Sequence, residues 1–438
     1  MIADEAAIKQ VLDCKGASGI RCCPSCKNVV AKDSDLAERD ATGYLVEVTC
    51  SDTSRFDHAS DTDMFQIADL LERSRGTLGI GAFKQLEIST GFNFNPLGLL
   101  ADKELRPYSR PASSLTWDPM HCLWSNGIVG FEVHNLLQRM VSTTSFTWSD
   151  LEMFCKSDWK FPAFCRAKGR SIYEVFNENR QRACKDNFKA GATELLLALP
   201  LLLLFGELFL VAKLPREMAC LRALCDVAHE AQEAKFGRGD VGKFASSIQK
   251  HFAEFRSVYS DDSVKPKHHY TCHLPAQLQR DRFLLDAFTL ERKHQSVKSA
   301  ASNTDNIEDY EVSVLSRIHI DELRCQSELA CKPGLRGKQA RCLPLQATIA
   351  DGLECSGLRF CSGDVVLRGD SALLIRGAIH IDGGQIELLA TPLQFRRRLS
   401  AMAAEWMQLP GLFRCSPRDI RYASCWTDDG EKFTILGR

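Results

Sequence analysis

The chain has 438 residues, 45% apolar and 25% charged, a balance that fits a soluble globular protein of about two to four domains and excludes a disordered or fibrous one. Basic and acidic residues nearly cancel, 55 against 56, so the net charge of −1 excludes a uniformly cationic nucleic-acid-binding surface. The 19 cysteines follow an acidic start, Met1-Ile2-Ala3-Asp4-Glu5, with no apolar signal segment; this predicts reduced thiols, some of them binding metal, in a nuclear or cytoplasmic protein that is not secreted.

In chain order, an extended start ends at Asp4 and helical spacing covers residues 5–14, until Gly16 to Gly19 interrupts it ahead of Cys23-Pro24-Ser25-Cys26. Tyr44 to Cys50 alternates like a strand or an extended arm. Residues 51–63 are a polar loop, and Asp63 to Arg75 predicts a helix. Residues 76–111, rich in Gly, Pro and Asn, are expected to be largely irregular. From His121 to about Val258 helical spacing dominates, with helices expected over 128–142, 148–156, 171–184, 193–213, 216–235 and 240–258.

Inside this block Leu195 to Leu204 reads LLLALPLLLL. A spanning helix needs about 20 apolar residues. Pro200 and Glu207 break this run, so a buried, bent core helix is expected and no membrane association. Helices are then predicted over 276–282, Leu284 to Ser299 and Ile307 to Glu328, followed by a basic linker from Ala330 to Ala340. From about residue 344 the pattern changes to short strands: Val365 to Arg368, Ala372 to His380, Gln385 to Ala390, Ala423 to Trp426 and Lys432 to Leu436. Arg396 to Gln408 reads as a helix or long loop. The expected fold class is α+β, mostly helical, ending in a small β-rich domain shaped as a barrel or curled sheet.

The chemistry concentrates in two distant stretches. Cys23 and Cys26 stand at ligand spacing, and Lys265-Pro266-Lys267-His268-His269-Tyr270-Thr271-Cys272-His273 carries a histidine pair. Two thiolates and two imidazoles can close a tetrahedral Zn2+ site, clamping the N-terminal segment to chain almost 250 residues later. His273 takes as partner either His268 or His269, and spacing leaves that choice open. Cys14 and Cys22 are alternative thiols, and buried free cysteines are the plainer reading of the pair.

The order of an acid, a CxxC, a histidine pair and a second acid resembles the metal-dependent DDE transposases, among them the CACTA-type and Transib groups and the V(D)J recombinase catalytic subunit. Three stretches carry the resemblance: Ala3-Asp4-Glu5-Ala6 through Gly16-Ala17-Ser18-Gly19 to Cys23-Pro24-Ser25-Cys26; Trp117-Asp118-Pro119-Met120-His121-Cys122-Leu123, similar to a D-x-M-H element; and the histidine pair followed by Phe288-Thr289-Leu290-Glu291-Arg292-Lys293-His294. They frame residues 1 to about 300 and leave the C-terminal third outside. The resemblance implies a partial RNase H-like core over 1–118, a helical insertion over 119–262, and completion of the core by 263–305, before a helix and linker over 306–343 and the β-rich segment over 344–438.

It also implies DNA as partner, room for a homo-oligomer, and Mg2+ or Mn2+ held by carboxylates if the chain is competent. Glu291 would be the helix carboxylate and Asp4 the second aspartate. The first acid would then precede residue 1, so the preferred expectation is a truncated, inactive remnant. The alternative takes Asp4, Asp118 and Glu291 as a full triad, at the expense of a strand running into Pro119, which has no N–H to donate. His121 is then either a hydrogen-bonded core residue or a neighbour of Asp118 in the site. The competing reading is a zinc-stabilised DNA- or protein-binding module without catalysis. Binding DNA would require local basic clusters: Arg166 to Arg170, Lys265 to Lys267, Arg292 with Lys293 and Lys298, or Arg396 to Arg398.

Overall fold

The computed structural model describes residues 2–3, 5–31, 46–156, 159–161, 172–182, 186–304, 308–330, 334–355, 358–400, 402–417, 420–422 and 425–436. For 2–3, 172, 289–293, 295–296, 324–330, 358 and 421–422 it describes the backbone alone. The chain divides into two compact units, one of residues 1–138, 186–192 and 214–288, the other of 139–185, 193–213 and 289–438.

The first unit opens with strand β1 (Ile2–Ala3) and helix α1 (Glu5–Leu12), which buries Ile8 and Leu12. Strands β2 (Val29–Val30) and β3 (Val46–Glu47) pair in parallel, and β1 pairs in parallel with β4 (Thr116–Trp117), Ala3 opposite Trp117. These two short pairs are the strands of this unit among the described residues. Helix α2 (Asp61–Arg75) starts at a reciprocal cap: the Asp63 N–H donates to Ser60 Oγ at 3.2 Å, and the Ser60 N–H donates to Asp63 Oδ2 at 2.8 Å.

Within the stretch expected to be irregular, helix α3 (Ile80–Thr90) forms. Its apolar positions Ile80, Phe83 and Leu86 repeat at helical spacing, a signal the flanking glycines obscured. Gly91 ends it at φ +79°, and a Cβ there would stand 2.5 Å from the Arg21 carbonyl oxygen, so this cap accepts no other residue without a shift.

Helix α4 (Ile128–Thr143) begins in this unit, which also contains α8 (Pro215–Lys235), α9 (Val241–Tyr259), α10 (Pro266–Thr271) and α11 (Leu274–Asp281). Pro215 opens α8, where its missing N–H has no consequence, and Asp240 caps α9 by accepting from the Lys243 N–H at 2.7 Å. The apolar stripe Phe244, Ile248, Phe252 and Phe255 is buried. Gln277 of α11 acts as a substitute strand: its Oε1 accepts from Trp117 N at 2.9 Å and its Nε2 donates to Trp117 O at 3.0 Å. The Trp117 ring stacks on Tyr270, centroids 4.1 Å apart, and the Tyr270 hydroxyl donates to Cys22 O at 2.9 Å.

The second unit holds α5 (Trp148–Lys156), a single turn α6 (Glu178–Gln181), α7 (Ala192–Phe209) and the chain from α12 (Phe288–Ser302) and α13 (Tyr310–Ala330) onward, with α7 and α12 each entering it from the first unit. The helix expected over 171–184 is instead a 3-10 segment, Ile172–Phe176, and α6, because Asn177 interrupts it by accepting from the Asn179 N–H at 3.1 Å. The apolar run forms one helix, α7, with Pro200 inside it. It is long and apolar enough to cross a membrane, yet Leu195 and Ala198 through Gly206 are buried by protein. Phe205 packs against Phe146 and Phe154, with centroids 5.6 and 5.4 Å apart, as in a core helix.

Beyond α13 the chain builds an 11-stranded antiparallel sheet: β5 (Gly334–Cys342), β6 (Ala347–Cys355), β7 (Leu358–Cys361), β8 (Val365–Arg368), β9 (Ser371–Ile381), β10 (Ile386–Ser400), β11 (Ala403–Gln408), β12 (Phe413–Cys415), β13 (Arg421–Tyr422), β14 (Cys425–Asp428) and β15 (Lys432–Leu436). Along β9, Leu373 and Ile375 enter one buried cluster while Ala372 and Leu374 enter another, so both faces of the sheet are covered. Two expectations fail here. The linker at 330–340 is largely strand β5, recruited by backbone pairing to β6 although none of its residues is buried. Arg396 to Gln408 is neither helix nor loop: β10 runs on through the arginines and turns back as β11, with Phe395 opposite Trp406 and Arg397 3.0 Å from Glu405.

Asp61 ties the start of α2 to the chain ahead of β4, accepting from Ala112 N at 2.7 Å, Ser113 N at 3.0 Å and Ser113 Oγ at 2.8 Å. Burial pushes its carboxyl up, but the bonds from Ser113 and Ala112 outweigh that and hold it below its ordinary value of 3.8. A depressed carboxyl contributes stability that is complete above the unfolded-state value and is lost as pH falls through the folded-state one. The protein is therefore expected to lose stability below about pH 4, and Asp61→Asn to flatten that part of the profile in urea titrations repeated at several pH values. An unchanged slope would contradict the tie.

Candidate metal centre

The Cys23-Pro24-Ser25-Cys26 turn is closed by Cys26 N donating to Cys23 O at 3.4 Å. It is held from outside by Lys27 N to Asp57 O at 2.8 Å and Ala59 N to Ser25 O at 3.0 Å. Asn28, which is buried, completes the frame: its Nδ2 donates to Arg55 O and its Oδ1 accepts from Asp57 N, both at 2.8 Å. These bonds point both thiols inward, toward α10 and the start of α11.

There Cys23, Cys26, His269 and His273 converge, at 2%, 3%, 0% and 8% exposure, with their ligand atoms all within 4.8 Å of one another. His273 Nε2 lies 3.4 Å from Cys23 Sγ, 3.6 Å from Cys26 Sγ and 3.1 Å from His269 Nε2. Tetrahedral zinc, with Zn–S near 2.3 Å and Zn–N near 2.0–2.1 Å, gives ligand-to-ligand edges of roughly 3.3–3.8 Å. The cluster therefore has the donor types and nearly the dimensions to hold a metal ion such as zinc.

Electrostatics favour the same use. Burial, then His273 and His58, push His269 well below its ordinary value, so its imidazole is neutral and has a lone pair to give. Burial, then Cys26, push the Cys23 thiol well up, with His273 opposing. A dication offsets that penalty by replacing thiol protons, leaving two thiolates and two neutral imidazoles with no net charge. His269 Nδ1 is buried without a hydrogen-bond partner. A cavity of about 250 Å3 lined by Phe56, His58, Ile248, Cys272 and His273 supplies an approach.

The open choice between the adjacent histidines closes on His269. His268 faces a different side of α10, where its Nε2 meets Glu132 Oε1 at 3.1 Å. Cys14 and Cys22 are buried outside the cluster. Sequence reading missed Glu132, Cys220 and His251, which form a second buried group. A signal existed: Glu132 sits four residues from both Ile128 and Leu136, and His251 lies within the Phe244, Ile248 and Phe255 stripe, each a polar side chain on a core-facing line.

The acids behave differently. Asp4 lies outside the described residues. Glu291 falls on α12, and its side chain lies outside them too. Asp118 follows β4 directly and is 1% exposed. Its Oδ1 accepts from Met120 N and Ala287 N, both at 3.0 Å, and its Oδ2 contacts His121 Nδ1 closely. Both oxygens are thus committed, and His121 serves as a hydrogen-bonding partner of Asp118. Of the basic clusters, Lys265 lies over the Phe131 ring at 5.0 Å and Lys267 Nζ donates to Asn126 O at 2.7 Å. No protein-family model, curated protein or solved structure matches the chain.

His269→Ala is expected to expose Cys23 and Cys26 to alkylation in the native, metal-loaded protein, at least about tenfold faster than in wild type, whereas His268→Ala leaves them protected. Peptide mapping after brief iodoacetamide treatment reads this directly. Equal reactivity in the two variants would remove His269 from the site.

Proposed function

We propose that the chain is a zinc-stabilised protein derived from a DDE transposase of the CACTA-type or Transib kind, and that it does not itself cleave DNA. The observation carrying this reading is the convergence of Cys23 and Cys26 with His269 and His273 in the order the resemblance implies. Zn2+ bound there would fasten the N-terminal segment to α10 and would take no part in chemistry, since four protein ligands leave no open position.

The parallel pairing of β1 with β4 also suits an RNase H-like arrangement, because the residues that continue these strands in sequence are Asp4 and Asp118. Catalysis by two Mg2+ ions would need carboxylate oxygens free to coordinate. Asp118 accepts two backbone N–H bonds and one from His121, so ligation would sacrifice bonds that anchor β4 to Ala287. This weighs against the full triad and for a binding role. DNA as the bound partner rests on the resemblance alone, and the alternative is a zinc-stabilised module that holds a protein.

The test incubates the full chain with supercoiled plasmid and terminal-repeat DNA in Mg2+ and then Mn2+, beside Glu291→Ala and Asp118→Asn. No nicking above the variants is expected. Nicking that vanishes in both variants would overturn the reading and restore Asp4, Asp118 and Glu291 as a working triad. Chelation is expected to loosen residues 5–31 in hydrogen exchange without provoking cleavage.

A further inference from the structure

We propose that Glu132, Cys220 and His251 form a second metal site, for a divalent transition ion of the zinc class, with His268 as the donor that orients Glu132. The three ligands come from three helices, α4, α8 and α9, and all are buried, with ligand atoms within 4.8 Å of one another. His251 Nε2 lies 2.9 Å from Glu132 Oε2, and Cys220 Sγ lies 3.7 Å from that same oxygen. The edges bracket the roughly 3.3–3.6 Å that tetrahedral zinc sets between an oxygen and a nitrogen or sulfur neighbour.

The other carboxylate oxygen has a different partner. Lys265 N donates to His268 Nδ1 at 3.0 Å, which makes that nitrogen an acceptor and leaves the ring proton on Nε2. His268 therefore donates to Glu132 Oε1 and is not a ligand, the arrangement in which an outer hydrogen bond fixes a ligating carboxylate. Oε2 is left facing the thiol and His251.

Charge supplies the second argument. Glu132 is 4% exposed, and its carboxylate meets His251, His268 and the Cys220 thiol in the core. With a neutral thiol and neutral imidazoles this would be a buried, uncompensated anion, which is costly. A dication with one carboxylate, one thiolate and one neutral imidazole has no net charge. Binding releases one proton, from Cys220 to solvent, while His251 moves its ring proton to Nδ1 and gives the Nε2 lone pair to the metal.

The full chain, expressed with zinc, is examined by elemental analysis and X-ray absorption. Two zinc ions per chain are expected, with about 1.5 sulfur ligands per zinc because three thiolates serve two ions. Cys220→Ser should lose one zinc and raise the sulfur count to about two per zinc. The Cys23→Ser, Cys26→Ser double variant should keep one zinc with about one sulfur, so failure of the first site is separable from failure of the second. One zinc with two sulfurs in wild type, or full zinc retention in Cys220→Ser, overturns the proposal. If Cys220→Ser does not fold, the wild-type stoichiometry and sulfur count decide by themselves.

Discussion

Two adjacent histidines on a six-residue helix face different partners, and much of the first unit is arranged around that fact. Successive helical residues point about 100° apart. On Pro266–Thr271, His269 accordingly meets the Cys23–Cys26 turn while His268 meets Glu132. A helix this short has little stability of its own. It is held by what its side chains touch: the thiol turn, Glu132, the stack of Tyr270 on Trp117 and the bond from Tyr270 to Cys22 O. The N-terminal segment, α4 and β4 are each joined to the others through this one turn of helix.

Buried carboxylates in the protein are stabilised in two ways. Asp118 collects backbone N–H groups from both sides of its own position in space, so it acts as a joint between β4 and the chain entering α12. Asp364, fully buried in the sheet, accepts from Cys361 N at 2.8 Å in a local turn. Glu132 is surrounded instead by two imidazoles and a thiol, side chains that can each gain or lose a proton. An acid anchored by backbone N–H groups, as Asp118 is beside its contact with His121, is fixed in place; an acid met only by titratable side chains leaves its protonation and its company open to exchange.

Legibility in the sequence followed the range of the forces involved. The helices over 128–143, 215–235 and 241–259 were readable because apolar spacing and caps are local. The candidate ligands were readable as residue types, since cysteines three apart and histidines four apart declare their geometry. Which of two neighbouring histidines would turn inward was not, because that depends on where Glu132 lies, 136 residues from His268. The strand Gly334–Cys342 was also invisible: it has almost no buried face, and only its pairing with Ala347–Cys355 makes it extended. The run of arginines in β10 concealed a strand for the same reason, its polar side chains being outside while its backbone pairs with β11.

The amide of Gln277, standing in for a strand on Trp117, has a consequence in time as well as space. The backbone groups it covers belong to the side of β4 turned away from β1, an edge that would otherwise accept another chain. Gln277 is 160 residues downstream. At synthesis rates of about 5–20 residues per second, roughly 8–32 seconds separate the two on the ribosome. For that interval the nascent protein carries an unsealed edge beside two unligated thiols, so shielding by another protein matters most before α11 emerges and little afterwards.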